Sequence, residues 1–289
     1  GAAGNVVYFD AESAISPEFM ANVGCNLEKL IYVQAQTVEM VLETIEMYLG
    51  TGEQFLFVWD SVAFTPAIGD KEGDFNPQSS MAVKARILAK GMSKLTIPIA
   101  DQKATLIVLN QLKTNIPQGP TARIVAMTTP YITPGGKAMH YAYSLRIWLT
   151  GRKAKSSFVT DEKGFRIGSE VKVKLEKSRF GTQGRSCAFR ILWGTEEIGI
   201  RDMESWFDAI KGSECLTSAG AWYTLSMPDG YVKKFQPSKW NKFMSDDPDF
   251  KQRVYQIVDE EIVMKFDKRQ GDASTFYEDQ EDLTVPVTD

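Results

Sequence analysis

The sequence is poor in the residues that build disulfide frameworks and histidine-based sites. Its 289 residues include three cysteines, Cys25, Cys187 and Cys215, and a single histidine, His140. Three widely spaced cysteines form neither a disulfide framework nor a zinc cluster, so we expect a reducing, cytoplasmic environment. One histidine argues against a histidine-based metal site and against a Ser-His-Asp catalytic triad.

Long apolar runs and signal-like segments are also missing. No stretch of the sequence approaches the roughly 18 uninterrupted apolar residues that a membrane-spanning helix requires. Residues 1–5 have neither a basic start nor an apolar run, which argues against a secretory signal. The sequence lacks an initiator Met and enters a strand pattern almost at once. We therefore expect a fragment of a longer polypeptide.

The composition is that of a folded protein with an uneven distribution of charge. Hydrophobic residues make up 43% and charged residues 24% of the chain, which argues against extensive disorder. The net charge of −4 excludes a uniformly basic nucleic-acid coat. Residues 137–185, however, carry twelve basic and four acidic residues, whereas residues 266–289 carry two basic and seven acidic residues. The sequence thus allows a local basic surface and predicts a solvated acidic tail.

Short apolar runs alternate with helix-period segments over the first 150 residues. This alternation predicts an α/β fold, with a mostly parallel sheet covered by helices on both faces. The predicted strands are residues 6–9, 30–33, 54–59 and 105–109, and the predicted helices are residues 16–23, 37–49 and 81–95.

The pattern changes after about residue 139. Alternating apolar and polar residues predict antiparallel strands at the edge of the same sheet, over residues 141–149, 170–176 and 188–193. Helices at residues 203–210, 240–243 and 250–266, with a hairpin at residues 219–225, follow. We predict a core over residues 1–199, a small α+β C-terminal domain over residues 200–265 and a flexible acidic tail over residues 266–289.

Polar residues directly follow three predicted strands. The carboxyl ends of parallel strands meet at one edge of a sheet, where ligands bind. A carboxylate there can hold a magnesium-bound water, a second can activate the attacking water, and an amide can sense a phosphate. Each residue alone is more often a helix cap, but three together favour a nucleotide site. The clusters are Asp10-Ala11-Glu12, Asp60-Ser61 and Asn110-Gln111.

Six segments, in the same order, resemble the RecA recombinase family, including its phage members of the UvsX type. The resemblance runs over roughly residues 4–265 and implies a RecA-like ATPase core, with antiparallel edge strands and a small α+β C-terminal domain. It also implies the cytoplasm of a bacterium or of a phage-infected host. The segments are residues 6–12 (VVYFDAE), 55–66 (FLFVWDSVAFTP), 106–112 (LIVLNQL), 133–138 with 144–146 (TPGGKA, SLR), 168–179 (GSEVKVKLEKSR) and 219–223 (AGAWY).

The resemblance implies ATP and Mg²⁺ as cofactors. Glu12 would be the general base, Asp60 would hold Mg²⁺ through a water, and Gln111 would sense the γ-phosphate. Lys177 and Arg179 would act on the ATP of an adjacent protomer, although two cations at this spacing also fit a solvated strand face. Further nucleotide contacts would come from Ser16, Phe19, Trp193 and Gly194.

The resemblance also implies DNA-binding loops at residues 68–80 and 112–136. The partners would be single-stranded DNA, homologous duplex DNA and further copies of the chain in a helical filament, with no membrane. Met81, Lys84 and Arg86 belong to the predicted helix after the first loop, which is otherwise an ordinary amphipathic helix. The expected DNA contacts are Met81, Lys84, Arg86, Gly135, Gly136, Lys137 and Arg146, with Ile124, Val125, Met127 and Tyr131 against bases. His140 is expected to be packed or hydrogen-bonded rather than to titrate as a switch.

One family motif does not occur in the sequence. The phosphate-loop pattern Gly-x-x-x-x-Gly-Lys-[Ser/Thr] appears nowhere in the 289 residues. The chain is then either a fragment of a DNA-dependent ATPase that forms filaments on single-stranded DNA, or a non-hydrolysing DNA-binding mediator. A hexameric helicase is a third and weaker option. We also expect residues 272–282 of the acidic tail to compete with DNA for basic loops.

Overall fold

The computed structural model describes residues 5–72, 81–116, 119, 124, 127, 131–151, 157–181, 183–194 and 198–263. Their contacts separate into two compact units. The first unit comprises the chain up to residue 147 together with residues 175–184, and the second comprises residues 148–174 and the chain from residue 185 onward. The predicted domain boundary at residue 200 stays a prediction.

A four-stranded, fully parallel sheet forms the centre of the first unit. Its strand order is β2-β1-β3-β4, and the four predicted strands are confirmed to within about one residue. Asp10, at the end of β1, lies opposite Gln34 of β2 and Asp60 of β3. The strands are β1 (Asn5–Asp10), β2 (Leu30–Gln34), β3 (Phe55–Asp60) and β4 (Thr105–Val108).

Five α-helices of the first unit are described. The N-terminus of α2 is capped by Thr37, whose hydroxyl accepts the amide N–H of Met40. The helix predicted to end at residue 95 continues to Asp101 and contains Pro98. The helices are α1 (Pro17–Asn22), α2 (Val38–Leu49), α3 (Ile68–Glu72), α4 (Met81–Asp101) and α5 (Gly136–Ala142).

The core of the first unit lies on one face of the parallel sheet. Alternate strand residues pack there against apolar residues of α2, α4 and α5 and are almost fully buried: Val7, Phe9, Phe55, Phe57 and Trp59. On the opposite face, Tyr32 and Ile107 are 51% and 46% exposed. Within the described residues the helices therefore cover one face of the sheet, where the strand pattern predicted two. The strands nevertheless consist of continuous apolar runs, because apolar residues such as Leu56 and Val58 also occupy the second face, where they are partly buried.

A second sheet contains the predicted antiparallel strands. Its order is β11-β10-β9-β7, with β8 paired to β9. These strands were predicted to extend the first sheet, but among the described residues they bond to one another. Alternating hydrophobicity identifies a one-sided strand without identifying its partner, and β9 and β10 pair with each other over a short connection. The strands are β7 (Leu145–Gly151), β8 (Phe158–Thr160), β9 (Arg166–Ser178), β10 (Ser186–Leu192) and β11 (Gly199–Arg201).

The strand predicted over residues 141–149 begins too early, since α5 includes Tyr141 and Ala142. A short antiparallel ribbon precedes α5. It joins β5 (Lys113–Thr114) to β6 (Tyr131–Ile132) and so pairs the two ends of the predicted second DNA loop.

The remainder of the second unit packs around an aromatic cluster of Phe207, Tyr223, Phe235, Trp240 and Phe250. The predicted hairpin is present, with a third strand added, and the last predicted helix ends as an α-helix at Val258 rather than at residue 266. The elements are α6 (Asp202–Ile210), β12 (Leu216–Ala219), β13 (Trp222–Ser226), β14 (Val232–Phe235), α7 (Trp240–Asp246) and α8 (Pro248–Val258). In the part of the chain that is described, no helix has the length and apolar character to cross a membrane.

Candidate functional site

The three polar clusters that follow parallel strands lie at one edge of the first sheet. Asp10 and Asp60 are direct neighbours in the register of β1 and β3. The amide of Ala11 donates to the carbonyl oxygen of Asp60 at 2.7 Å, and the amide of Val62 donates to the carbonyl oxygen of Leu109 at 3.1 Å. These bonds hold together the loops that leave β1, β3 and β4.

Glu12 is held at this edge from two sides. Asp10 is 2% exposed, and its Oδ1 accepts the amide N–H groups of Glu12 at 2.9 Å and Ser13 at 2.8 Å. The Ser61 hydroxyl donates to Glu12 Oε1 at 3.1 Å. The carboxylate of Glu12 therefore lies next to the loop that carries Asp60.

Two tyrosines bind the strand-end aspartates. The Tyr8 hydroxyl donates to Asp60 Oδ2 at 2.7 Å, and the Tyr32 hydroxyl donates to Asp10 Oδ2 at 3.0 Å. Burial, followed by the hydrogen bond to the aspartate, raises the pKa of each tyrosine above its usual value. Both hydroxyls therefore stay protonated donors. The sequence prediction missed them, although Tyr8 lies two residues before Asp10 and hence on the same face of β1.

The carboxylates of this edge suit a magnesium ion that arrives with phosphates. Among the described residues, no group of three or more His, Cys, Asp or Glu side chains is placed to hold a metal ion by itself. Protein sites for Mg²⁺ commonly contribute one or two carboxylates and leave the remaining positions to water and phosphate oxygens. Asp60, with Glu12 nearby, fits a role at the water shell of such an ion.

Gln111 follows β4 and is exposed at the same edge. The backbone amide of Gln111 donates to Oδ1 of Asn110 at 2.9 Å. The Asn110 side chain donates through Nδ2 to the carbonyl oxygen of Pro134, also at 2.9 Å. Asn110 also hydrogen-bonds the hydroxyl of Tyr143, whose pKa is raised by burial. Asn110 thus ties the strand end beside Gln111 to both flanks of α5.

Lys177 and Arg179 contact the C-terminal end of α5. Lys177 Nζ donates to the carbonyl oxygens of His140 at 2.7 Å and Tyr141 at 3.4 Å. Arg179 Nη2 donates to the carbonyl oxygen of Tyr141 at 2.5 Å. Desolvation, Arg179 and Arg146 lower the pKa of Lys177.

Arg146 joins the same group of cations. Its guanidinium lies 3.2 Å from both Thr133 Oγ1 and His140 Nδ1. Because arginine only donates, His140 Nδ1 acts as the acceptor in this pair. Desolvation, Arg146 and Lys177 lower the pKa of His140, and the expectation that this residue is hydrogen-bonded agrees with the geometry.

The further nucleotide contacts that the resemblance implies are divided between the two units. Ser16 caps α1 by accepting the amide N–H of Phe19, which is 43% exposed. Trp193 and Gly194 belong to the second unit, where both amides donate to the carbonyl oxygen of Ile167. Their roles in nucleotide binding stay predictions.

The predicted DNA-binding residues of α4 differ in their surroundings. Lys84 is half-buried, and its ammonium donates to the carbonyl oxygens of Val62 at 2.7 Å and Ala63 at 3.2 Å, while burial lowers its pKa. Arg86 is exposed, and Met81 is the first residue of the helix. Lys84 therefore secures the loop after β3, and its contact with DNA stays a prediction.

The second predicted DNA loop carries exposed apolar side chains, among them Ile116, Ile124 and Met127 between β5 and β6, and Tyr131 in β6 itself. The loop ends at Gly135 and Gly136, which have positive φ angles of 102° and 76°, and Lys137 follows as an exposed residue of α5. Val125, residues 73–80 of the first loop and the acidic tail lie outside the described residues.

Comparison with known proteins identifies relatives of this chain. The family model described as the RecA N-terminal domain matches residues 1–199. Protein RecA of Fusobacterium nucleatum is 31% identical over 224 residues, which cover 77% of this chain and 54% of the relative. Protein RecA of Streptococcus sanguinis is 26% identical over 269 residues, which cover 93% of this chain and 65% of the relative. The chain thus spans between half and two thirds of the length of these relatives.

A crystal structure of the RadB recombinase is also similar. It aligns with 68% of this chain and 78% of its own length, at 21% sequence identity and a TM-score of 0.45.

Proposed function

The chain belongs to the RecA family, and on this basis we propose that it takes part in homologous recombination and DNA repair. The RecA proteins of Fusobacterium nucleatum and Streptococcus sanguinis are the relatives that support this role. In the finer form of the proposal, the protein binds single-stranded DNA, assembles on it into a helical filament and pairs it with homologous duplex. ATP and Mg²⁺ control this assembly.

The strand-end edge of the first unit is the proposed nucleotide site. Mg²⁺ bound there would neutralise negative charge on the phosphates. Glu12 orients and deprotonates the attacking water, and Ser61 and Asp10 hold Glu12 in place. Asp60, which Tyr8 holds by a hydrogen bond, would accept a hydrogen bond from a water of such an ion. Gln111 responds to the γ-phosphate.

The observation that carries this proposal is the hydrogen bond from Ser61 to Glu12. It joins the loops after β1 and β3, so that a candidate base and a candidate metal residue lie at one edge of a parallel sheet. Carboxyl ends of parallel strands are where such sheets bind ligands.

Lys177 and Arg179 would contact the ATP of an adjacent protomer. Cations placed there counter the charge that spreads over the phosphoryl oxygens in the transition state. The DNA surface would comprise the loop between β5 and β6, with its exposed apolar residues against bases, and Gly135, Gly136, Lys137 and Arg146 toward the backbone.

Binding to fluorescein-labelled oligo(dT), measured by fluorescence anisotropy over a series of salt concentrations, tests the nucleic-acid part. We expect log K to fall linearly with log salt concentration. Lys137→Gln should reduce the steepness of this dependence by about one unit, because it removes one phosphate contact. Lys29→Gln, at an exposed position in the short 3₁₀ helix before β2, is the matched control and should leave the slope unchanged. Absence of oligo(dT) binding at low salt would remove the proposed role.

A second experiment separates the ATPase from the non-hydrolysing mediator. The phosphate-loop region of the Fusobacterium nucleatum protein is fused ahead of residue 1, and ATP hydrolysis is measured with and without oligo(dT). Hydrolysis that DNA stimulates, and that Glu12→Gln abolishes while ATP binding persists, supports the ATPase. DNA binding without hydrolysis supports the mediator.

A further inference from the structure

The two cations of β9 already have acceptors within their own protomer. Lys177 Nζ and Arg179 Nη2 bond to carbonyl oxygens of His140 and Tyr141, which belong to the last turn of α5. The last four carbonyl groups of any helix lack partners inside the helix, and cations near this end are stabilising. Lys177 and Arg179 therefore act as a C-terminal cap of α5.

Helix α5 is short enough to depend on this cap. It has seven residues, and Met139 is its buried residue. A helix of this length is marginal in water without tertiary contacts. At its N-terminal end, by contrast, a Cβ on Gly136 would lie 3.2 Å from Cβ of Ala85, so this end packs closely against α4. The C-terminal turn is the end that depends on charged side chains.

The cap brings several positive groups together. Arg146 contacts His140 at 3.2 Å, and Arg179 and Arg146 both disfavour the charged form of Lys177. Glu176 is the acidic residue that acts in the opposite direction on His140. Such a group of cations is stabilised by an additional anion, and a phosphate is a stronger acceptor for ammonium and guanidinium groups than a neutral carbonyl oxygen.

We propose that the end of α5 is a resting site for Lys177 and Arg179, from which they are released when they bind phosphate on an adjacent protomer. This inference rests on the proposed function, which assigns the two cations to that phosphate. The carbonyl oxygens of α5 and the phosphate compete for the same donors. Phosphate binding therefore uncaps α5, and an intact cap restrains the cations.

The location of α5 couples this exchange to nucleic acid. The helix begins directly after Gly135, at the end of the predicted second DNA loop. When DNA binding reorganises the last turn of α5, Lys177 and Arg179 are released to bind phosphate. When phosphate binds these cations, the last turn loses its cap and can change conformation to bind DNA. Linkage requires these two effects to be equal in free energy. The device thus makes each ligand assist the other.

Hydrogen exchange of the full chain, followed by mass spectrometry on peptides that cover residues 136–146, tests the proposal. Sodium tripolyphosphate is the probe, and sodium chloride at the same ionic strength is the control for screening. We expect tripolyphosphate to accelerate exchange in the last turn of α5 by about two- to fivefold per cation withdrawn. Exchange in α2, which contacts neither cation, should stay constant.

Variants connect this response to the two cations. In Lys177→Met/Arg179→Met, α5 should exchange fast without the probe and should not respond to it. Lys177→Arg, with Arg179 unchanged, keeps a hydrogen-bond donor at position 177. In this variant α5 should exchange slowly and should respond to tripolyphosphate as in the unmodified chain. Lys172→Met, an exposed lysine on the same strand, is the matched control and should behave like the unmodified chain.

The outcomes are distinct from those for the proposed function. Unchanged or slower exchange of α5 in tripolyphosphate, or a double variant with the slow exchange of the unmodified chain, would overturn the resting site. Failure to bind oligo(dT) would overturn the DNA-binding role and leave the exchange result intact. Oligo(dT) should also increase the affinity for tripolyphosphate, and a decrease would contradict the coupling.

Discussion

Asn110 donates a hydrogen bond through its side-chain amide to the carbonyl oxygen of Pro134, at a distance of 2.9 Å. Its Oδ1 accepts the amide N–H of Gln111 at the same distance. One side chain therefore joins the end of β4 to the segment that opens α5. In the proposed function, Asn110 thereby connects Gln111, which senses the phosphate, to Pro134 near the end of the second DNA loop.

Asn110→Asp should break this path at one bond. The carboxylate of the variant still accepts the backbone amide N–H of Gln111, but it cannot donate to Pro134. Its second oxygen then faces the carbonyl oxygen of Pro134. We expect faster hydrogen exchange over residues 135–143 and a loss of about 0.5–1.5 kcal/mol in the free energy of unfolding, measured by urea denaturation. Asn22→Asp, at an exposed position of α1, controls for the added charge. Unchanged exchange over residues 135–143 would show that the bond to Pro134 does not hold α5.

Thr65 supports the loop after β3 from the interior. It is fully buried, its hydroxyl accepts the indole N–H of Trp59 at 2.8 Å, and it donates to the carbonyl oxygen of Ser61 at 2.9 Å. Thr65→Val keeps the shape and leaves the buried indole N–H of Trp59 without its acceptor, while the carbonyl oxygen of Ser61 still accepts the backbone amides of Phe64 and Thr65. We expect a loss of about 1–3 kcal/mol in the free energy of unfolding by urea denaturation.

The comparison for Thr65→Val is Thr96→Val, where an exposed hydroxyl bonds within α4 to the carbonyl oxygen of Met92. That variant should change the free energy of unfolding by less than about 0.5 kcal/mol. Equal effects of the two substitutions would contradict a special role for the buried bonds behind Ser61.

The strand-end clusters illustrate what the sequence could predict. Apolar runs that end in Asp10 and Asp60 place both carboxylates at one edge, because parallel strands share their direction. The hydroxyls of Tyr8 and Tyr32 could not be assigned to these carboxylates in advance, since their contacts depend on the register between strands. The register between strands is a tertiary property, and the spacing of apolar residues within one strand does not predict which residues of its neighbour lie opposite.

The second sheet shows the same limit at a larger scale. Alternation in residues 170–176 correctly predicts a strand, yet it does not reveal that β9 pairs with β10 rather than with the parallel sheet. The capping of α5 by Lys177 is likewise invisible in the sequence, because 37 residues separate this lysine from His140. Local patterns predict elements, and the contacts between distant elements decide what their polar residues do.

Gly168 is required by close packing in the second unit. A Cβ at this position would lie 2.5 Å from the carbonyl oxygen of Ile191 and 2.6 Å from Cδ2 of Leu192. Because the first of these atoms belongs to the backbone of β10, the strands must move apart to admit a methyl group. Gly168→Ala should therefore lower the free energy of unfolding by about 1–3 kcal/mol.

Thermal or urea unfolding measures this loss, with Gly212→Ala as the control. A Cβ on Gly212 meets no atom within 4 Å, so this variant should be neutral within about 0.5 kcal/mol. A Gly168→Ala protein as stable as the control would show that β9 and β10 tolerate a wider spacing than the structure gives.

His140 should make the stability of the first unit depend on pH. Desolvation, Arg146 and Lys177 lower its pKa below the usual value of about 6.5, while Glu176 raises it. The folded state therefore binds fewer protons than the unfolded state once the pH falls below about 6.5. The contribution of neutral His140 is fully present above that pH and decreases as the pH falls through the folded pKa, because protonation places a third charge beside Arg146 and Lys177.

The measurement is the difference in free energy of unfolding between the unmodified chain and His140→Gln, taken by urea denaturation at intervals from about pH 8 down to pH 5. Glutamine can still accept from Arg146 but does not titrate in this range. The difference should be constant above neutrality and should shift in favour of His140→Gln on acidification. A difference that does not vary with pH would mean that His140 has the same proton affinity in the folded and unfolded states, and that Arg146 does not depend on its neutral form.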